Sequence, residues 1–230
     1  MKMYGFWRSL ASFRVRMALN LKGVACEELP VNLLKGEQKG AAFRDVNPQA
    51  MLPALDIGTG SPLFQSLAIL EYLDETYPTP ALLPQGAAAR ARVRGLALIA
   101  ACEAHPLVVP RVREYLEHDL KLDEPTRATW LRHWLNEANG ALEFHLTNDP
   151  ETGRFCHGDT PGLADICLVS HVVGCGFFLC DMTPYPRLRE LTSRCFEIDA
   201  FARAHPLNQP GAPASLPGAP PPPPIPGGAR

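Results

Sequence analysis

Ser9 stands where a short strand pattern (residues 3–6) passes through a polar turn (7–9) into a helix, whose apolar residues Leu10, Phe13, Met17 and Leu21 recur at helical spacing. The first amides of a helix have no internal partners and the helix dipole adds partial positive charge, so such a turn suits an anion. A hydroxyl there can donate to a thiolate or an oxyanion. It serves equally as the helix cap, since Ser is a favoured N-cap. Gln65 and Ser66 open a second helix in the same way. Amides, hydroxyl and dipole again favour an anion, and again a plain cap would account for the residues. His105 precedes Pro106, a setting that suits a kink histidine held by a carbonyl as well as one facing a substrate. Arg8, Arg14, Arg16 and Arg111 supply cations for surface or interdomain ion pairs, or for a cleft. The seven cysteines (26, 102, 156, 167, 175, 180 and 195) are odd in number and show neither Cys-x-x-Cys nor metal-ligand spacing. They read as reduced, mostly buried thiols.

The elements that must position these residues follow in order. Gly23 stops the first helix. Residues 26–33 alternate as a second strand, 35–40 form a loop, and 41–46 form a short helix ended by Asn47-Pro48. Residues 51–56 make a brief strand with Pro53 near its start. A turn at 57–61, a strand from Leu63 and a helix closed by Tyr77-Pro78 complete the segment. This order predicts parallel pairing through a crossover helix and then an antiparallel hairpin, as in a thioredoxin-like domain. We therefore divide the chain into a thioredoxin-like domain (1–80), a linker (81–87), an all-helical domain (88–206) and a proline-rich tail (207–230) expected to be disordered or extended. Helices are expected at 88–103, 126–146, after the segment 158–165 to about 173, and at 186–196, with Asp165 reaching back to the Gly162 amide as half of a capping box. The chain has 230 residues, 46% of them hydrophobic, and a net charge of -2, so nothing favours nucleic acid or an anionic membrane as partner. No signal-peptide pattern and no bilayer-length apolar run is visible, and the expected setting is the cytoplasm.

The segment Trp-Arg-Ser-Leu-Ala-Ser-Phe-Arg-Val-Arg-Met-Ala-Leu-Asn-Leu-Lys-Gly (7–23) resembles the N-terminal signature of zeta-class glutathione transferases, the group that includes maleylacetoacetate and maleylpyruvate isomerases. The usual pattern there is Arg-Ser-Ser-Cys-Ser-aromatic-Arg-Val-Arg. Leu10 and Ala11 replace its second Ser and its Cys, while Ser9 and Ser12 remain. Residues 101–116 are similar to a bacterial isomerase segment in His105, Pro106 and Arg111, with Val108-Val109 where an Asn pair is usual. Asp-Met-Thr-Pro-Tyr-Pro (181–186) also matches. The stretch 173–180 lacks the Arg that in the family grips a substrate carboxylate.

The resemblance covers about residues 1–205 and implies the glutathione transferase fold, an α/β thioredoxin-like domain followed by an all-α one. It implies a cis Pro53, with Leu52 pairing its backbone to glutathione, Ser9 at the thiol, Ser12 among the glutathione-binding residues, and Gln65-Ser66 on the γ-glutamyl carboxylate. Gln38 and Gln49 would contact the glycyl end and backbone. Ser9, Arg8 and His105 would be catalytic, and Arg8, His105 and Arg111 would meet the second substrate. The implied activity is glutathione-dependent cis–trans isomerisation of a small dicarboxylic ring-cleavage product, by a homodimer. Conjugation of glutathione to a less acidic electrophile, or glutathione binding without catalysis, are the alternatives, since fold alone does not fix function.

Overall fold

Lys2-Met3-Tyr4-Gly5 alternates its exposure and forms β1 (Lys2–Gly5), with Met3 turned into the core. The computed structural model describes residues 1–217 and 219–226 and groups them into two units. The first unit comprises Met1–Leu82, Glu197–Ala214 and the described residues from Pro221. The second comprises Leu83–Phe196 and the described residues of 215–220.

In the first unit, β1 runs through α1 (Leu10–Lys22) to β2 (Glu27–Pro30), which lies parallel to it with Met3 opposite Glu28. After a short α2 (Ala41–Arg44) come β3 (Ala54–Asp56) and β4 (Leu63–Phe64), both antiparallel to their neighbours, giving the sheet order β2-β1-β3-β4. β3 starts at Ala54 and not at residue 51. The peptide preceding it, Leu52–Pro53, is cis, and proline has no N–H for the ladder. α3 (Ser66–Thr76) follows. α1 is buried along most of its length, with Phe13, Val15, Met17 and Ala18 wholly inside, because α3 and α9 (Asp199–Ala204) both pack against it. Asn20 donates to the Ala200 carbonyl at 3.0 Å, and the Phe13 and His205 rings meet edge to face. The segment 197–214 thus belongs with the N-terminal unit, whereas the sequence pattern had carried the helical domain through to 206. Gly23 ends α1 at φ 63, a left-handed conformation that glycine adopts without steric cost. Lys22, just before it, reaches Asp74 at 2.7 Å and the carbonyls of Tyr77 and Pro80, fastening α1, α3 and the chain that leaves α3.

The second unit is helical: α4 (Ala87–Leu98), α5 (Pro110–Glu114), α6 (Glu124–Asn148), α7 (Leu163–Phe177) and α8 (Pro186–Phe196). The run expected as one helix over 88–103 widens into a π turn at Ile99–Ala104, and a second π turn occupies Tyr115–Asp119. The whole run from Ala87 to Asp119 is long and apolar enough to cross a membrane by length and composition. Here Pro106 and Pro110 break it, and it packs on α6 and α7. α7 continues to Phe177, four residues past its expected end. Asp165 accepts the Gly162 amide at 2.9 Å and the Cys156 amide at 2.8 Å. Gly162 has no side chain to return the bond, so one half of the box stands alone. From Pro210 the described residues form no helix or strand, and Pro220 lies against Gly176.

Candidate functional site

The strand register brings three distant segments to one end of the first unit's sheet. Tyr4 pairs with Ala54, and Ala54 pairs with Phe64. One step further along the antiparallel ladders, the end of β1, the cis Leu52–Pro53 peptide and Gln65 become neighbours. β2 ends at the same edge, where the Val31 amide donates to the Gly5 carbonyl at 2.8 Å and the chain turns towards Gln38.

At this edge Ser9 is the N-cap of α1, with φ -71 and ψ 112, and its Oγ accepts the Ser12 amide at 3.1 Å. A hydroxyl offers one donor and two lone pairs, so this cap uses a lone pair and leaves the O–H to donate elsewhere. The two readings of Ser9 are therefore compatible in one conformation. Ser12 is fully buried and its Oγ has no hydrogen-bond partner among the described residues. Arg8 is half-buried, and that burial lowers its pKa. Arg16 is neither a surface nor an interdomain residue. It is buried inside this unit, its Nε 2.7 Å from Glu28 Oε2 and its Nη2 bonded to Glu28 Oε1 at 3.0 Å and the Phe6 carbonyl at 2.7 Å. That fork pins the turn before Ser9 to β2. A Cβ at Gly5 would come within 2.3 Å of Glu28 Oε1 and push that carboxylate out of the fork. Arg14 is buried in the same unit.

Gln65 holds φ 68 and ψ 116, a conformation that costs a non-glycine residue on the order of 1–3 kcal/mol and that clusters at ligand sites. It caps α3 without a side-chain bond, and buried Ser66 opens that helix. The first amides of α3 are thus left to a ligand or to solvent. Gln65 Nε2 donates to Gln49 Oε1 at 3.1 Å, so two predicted residues meet directly. Gln38 is buried on the single turn Glu37–Lys39, and its Oε1 has no hydrogen-bond partner among the described residues. The sequence reading passed over Asn47. Its buried side chain accepts the Gln49 amide at 3.1 Å and donates to the Met51 carbonyl at 2.8 Å, shaping the loop that delivers Gln49 and the cis peptide. The Asn47-Pro48 pair is the available signal, and by itself it predicts only a helix stop.

In the second unit His105 is half-buried on the single turn His105–Leu107, and Arg111 is exposed on α5. Val108 and Val109 are buried, and Val108 belongs to an apolar cluster with Ala104, Leu131, Leu135, Ala138 and Cys175. His171, another basic residue of this half, is buried with Nε2 2.8 Å from Asn139 Oδ1 and so belongs to the core. Burial raises the Asp165 pKa, while bonds from the Cys156 and Gly162 amides oppose the rise. That describes a structural carboxylate.

Residues 1–75 match the family model described as the N-terminal domain of glutathione S-transferase. Maleylpyruvate isomerase of Ralstonia is 49% identical over 210 residues, covering 91% of this chain and 99% of that protein. A holo structure of maleylpyruvate isomerase, described as a bacterial glutathione S-transferase of the zeta class, superposes with a TM-score of 0.90 at 48% identity, covering 93% of this chain and all (100%) of that one. Maleylacetoacetate isomerase of Methylobacterium extorquens, solved with bound malonate and glutathione, gives a TM-score of 0.91 at 50% identity and covers 93% and 100% of the two chains.

Proposed function

The chain belongs to the zeta class of the glutathione S-transferase family, and from that premise we propose that it is a glutathione-dependent cis–trans isomerase of a small dicarboxylic ring-cleavage product, of the maleylpyruvate or maleylacetoacetate type. The observation that carries this reading is that identity of about one half runs through 93% of the chain, well past the glutathione-binding segment that any transferase of this fold would share. A relative is solved with both malonate and glutathione bound, and malonate is a small dicarboxylate, the chemical class the reading requires.

The first unit's residues fit glutathione. A carboxylate suits the uncapped amides at the start of α3, with the Ser66 hydroxyl and the paired Gln65 and Gln49 beside it. The backbone of Leu52 is the partner for a peptide, and the buried Gln38 Oε1 is an acceptor in need of a donor. Ser9 directs its O–H to a thiolate, and Ser12 Oγ is a second buried hydroxyl on the same turn of α1. Bound glutathione supplies the nucleophile, a thiolate that adds to the cis double bond, permits rotation and is then eliminated. The chain's part is to keep that thiol ionised, through Ser9 and the α1 amides, and to meet charge developing on the substrate with cations and hydrogen-bond donors. Arg8, His105 and Arg111 are our candidates for the latter.

We further propose a cytoplasmic homodimer, as the resemblance implies. A solution mass near 25.1 kDa by light scattering at micromolar concentration would contradict it. Two features favour a second reading, transfer of glutathione to a less acidic electrophile: buried Val108 and Val109 replace amides, and 173–180 carries no cation. Assays of the purified protein on maleylpyruvate, maleylacetoacetate and common conjugation acceptors, with and without glutathione, decide between the two. Rapid isomerisation supports the first, and conjugation without isomerisation supports the second.

A further inference from the structure

α7 ends in a left-handed stop whose two closing positions are both cysteines. The Cys180 amide donates to the Cys175 carbonyl at 3.0 Å, the Leu179 amide donates to the Gly176 carbonyl at 3.2 Å, and Leu179 between them has φ 56. This pair of bonds is the Schellman arrangement, in which the side chains at its two ends meet over the last turn. Here those side chains are both thiols, and Cys180 packs against the apolar cluster that contains Cys175. A disulfide needs α-carbons about 4.4–6.8 Å apart. A direct backbone hydrogen bond between the two residues brings them into that range.

The surroundings give the two thiols different tasks. Cys175 is wholly buried, and its Sγ donates to Asn139 Oδ1 at 3.6 Å, the oxygen that also faces His171 Nε2. Cys180 is only half-buried and so reachable from solvent. The neighbouring Cys175 thiol and the charge of Arg132 lower the Cys180 pKa against the effect of its partial burial, while the neighbouring Cys180 and burial hold Cys175 well above the usual thiol value. A lowered, accessible thiol beside a protected second thiol is the arrangement of an oxidisable pair.

We propose that Cys175 and Cys180 form a reversible dithiol–disulfide site, oxidised by hydrogen peroxide, that staples the last turn of α7 to the chain beyond it. The Cys180 thiolate attacks one peroxide oxygen. An S–O bond forms, the O–O bond breaks, and the released hydroxide takes up the proton the thiol had shed and leaves as water. Cys175 then attacks the Cys180 sulfur while its own proton passes to the departing hydroxide. The S–S bond forms, the S–O bond breaks and a second water leaves. The two thiols together give up two electrons and the peroxide accepts them.

The test uses the full-length protein with one equivalent of hydrogen peroxide, followed by denaturing thiol counting and peptide mapping. The expected result is a loss of two of the seven thiols, a linked 175–180 peptide, and recovery of all seven with dithiothreitol. Cys180→Ser should abolish that loss. Cys175→Ala should leave a Cys180 sulfenic acid that dimedone traps. Both variants are read against Cys102→Ser, which removes the exposed thiol most open to unrelated oxidation. A linkage between Cys156 and Cys195, disulfide dimers through Cys102, or an unchanged thiol loss in Cys180→Ser would each overturn the proposal.

Discussion

Substituting Ser9 in two ways separates the cap from the chemistry. Its Oγ accepts the Ser12 amide at 3.1 Å, so Ser9→Ala removes an N-cap worth about 1 kcal/mol, whereas glycine at an N-cap costs only a few tenths. In a chain of this size the alanine variant should melt about 2–4 °C lower. The hydroxyl proton is a separate matter. A hydrogen bond to a charged group contributes about 1.5–3 kcal/mol net. Since one pKa unit corresponds to about 1.4 kcal/mol, losing that donor should raise the thiol pKa of bound glutathione by about 1–2 units. Both Ser9→Ala and Ser9→Gly should show this rise in a thiolate absorbance titration. Both should lose about 10- to 100-fold in turnover near neutral pH, with glutathione affinity nearly intact. The glycine variant should do so at almost unchanged stability. If Ser9→Gly titrates like the wild type, Ser9 is only a cap and the thiolate assignment fails.

Lys22→Met should cost about 3–5 kcal/mol in urea unfolding, because it leaves Asp74 in the interior without its cation; a loss below 1 kcal/mol would show that the pair is not buried in solution. Burial lowers the His205 pKa from 6.5 to about 4, so the unfolded chain takes up the proton first and this stabilisation, present above about pH 6.5, drains away as pH falls to 4. The loss is on the order of 3 kcal/mol, and His205→Asn, which keeps an acceptor for the Leu207 amide, should flatten stability over that window; an unchanged pH profile would refute the attribution. Phe177→Arg should raise turnover of a dianionic substrate about 10- to 100-fold by restoring a carboxylate partner. Gly176→Arg should do less, since a Cβ there comes 3.0 Å from Pro220 Cδ and crowds the tail; ordinary isomerase efficiency in the wild type with no gain from either variant would show that the absence of an Arg in 173–180 costs nothing in substrate binding.

Much of the first unit was legible because local chemistry and global fold agree there. The apolar spacing of α1, Gly23 as its stop and the turn at 57–61 all point to one crossover and one hairpin, and the observed sheet has both. The bond between Gln49 and Gln65 and the role of Asn47 were not legible. They arise from strand register and from a loop closed on itself, which residue types alone do not encode. Arg16 was misjudged for a related reason. A charged residue on a helix reads as exposed until its partner is known, and Glu28 lies on a strand twelve residues away in sequence. The π turn at Ile99–Ala104 was not legible because the small Ala100, Ala101 and Ala104 draw no sharp apolar stripe in which the rotation of about 100° made by one inserted residue could be followed. The placement of α9 on α1 was hidden because it joins residues nearly the whole chain apart.

The central claim is that glutathione acts as a catalyst here and not as a reagent. The direct measurement is a progress curve with maleylpyruvate or maleylacetoacetate in large excess over glutathione, following the trans isomer and free thiol together. The account predicts that trans product accumulates far beyond the glutathione supplied, that the thiol is recovered in full, and that the reaction stops when glutathione is left out. Product that halts at the amount of glutathione added, with the thiol consumed, or isomerisation that proceeds without glutathione, would contradict it.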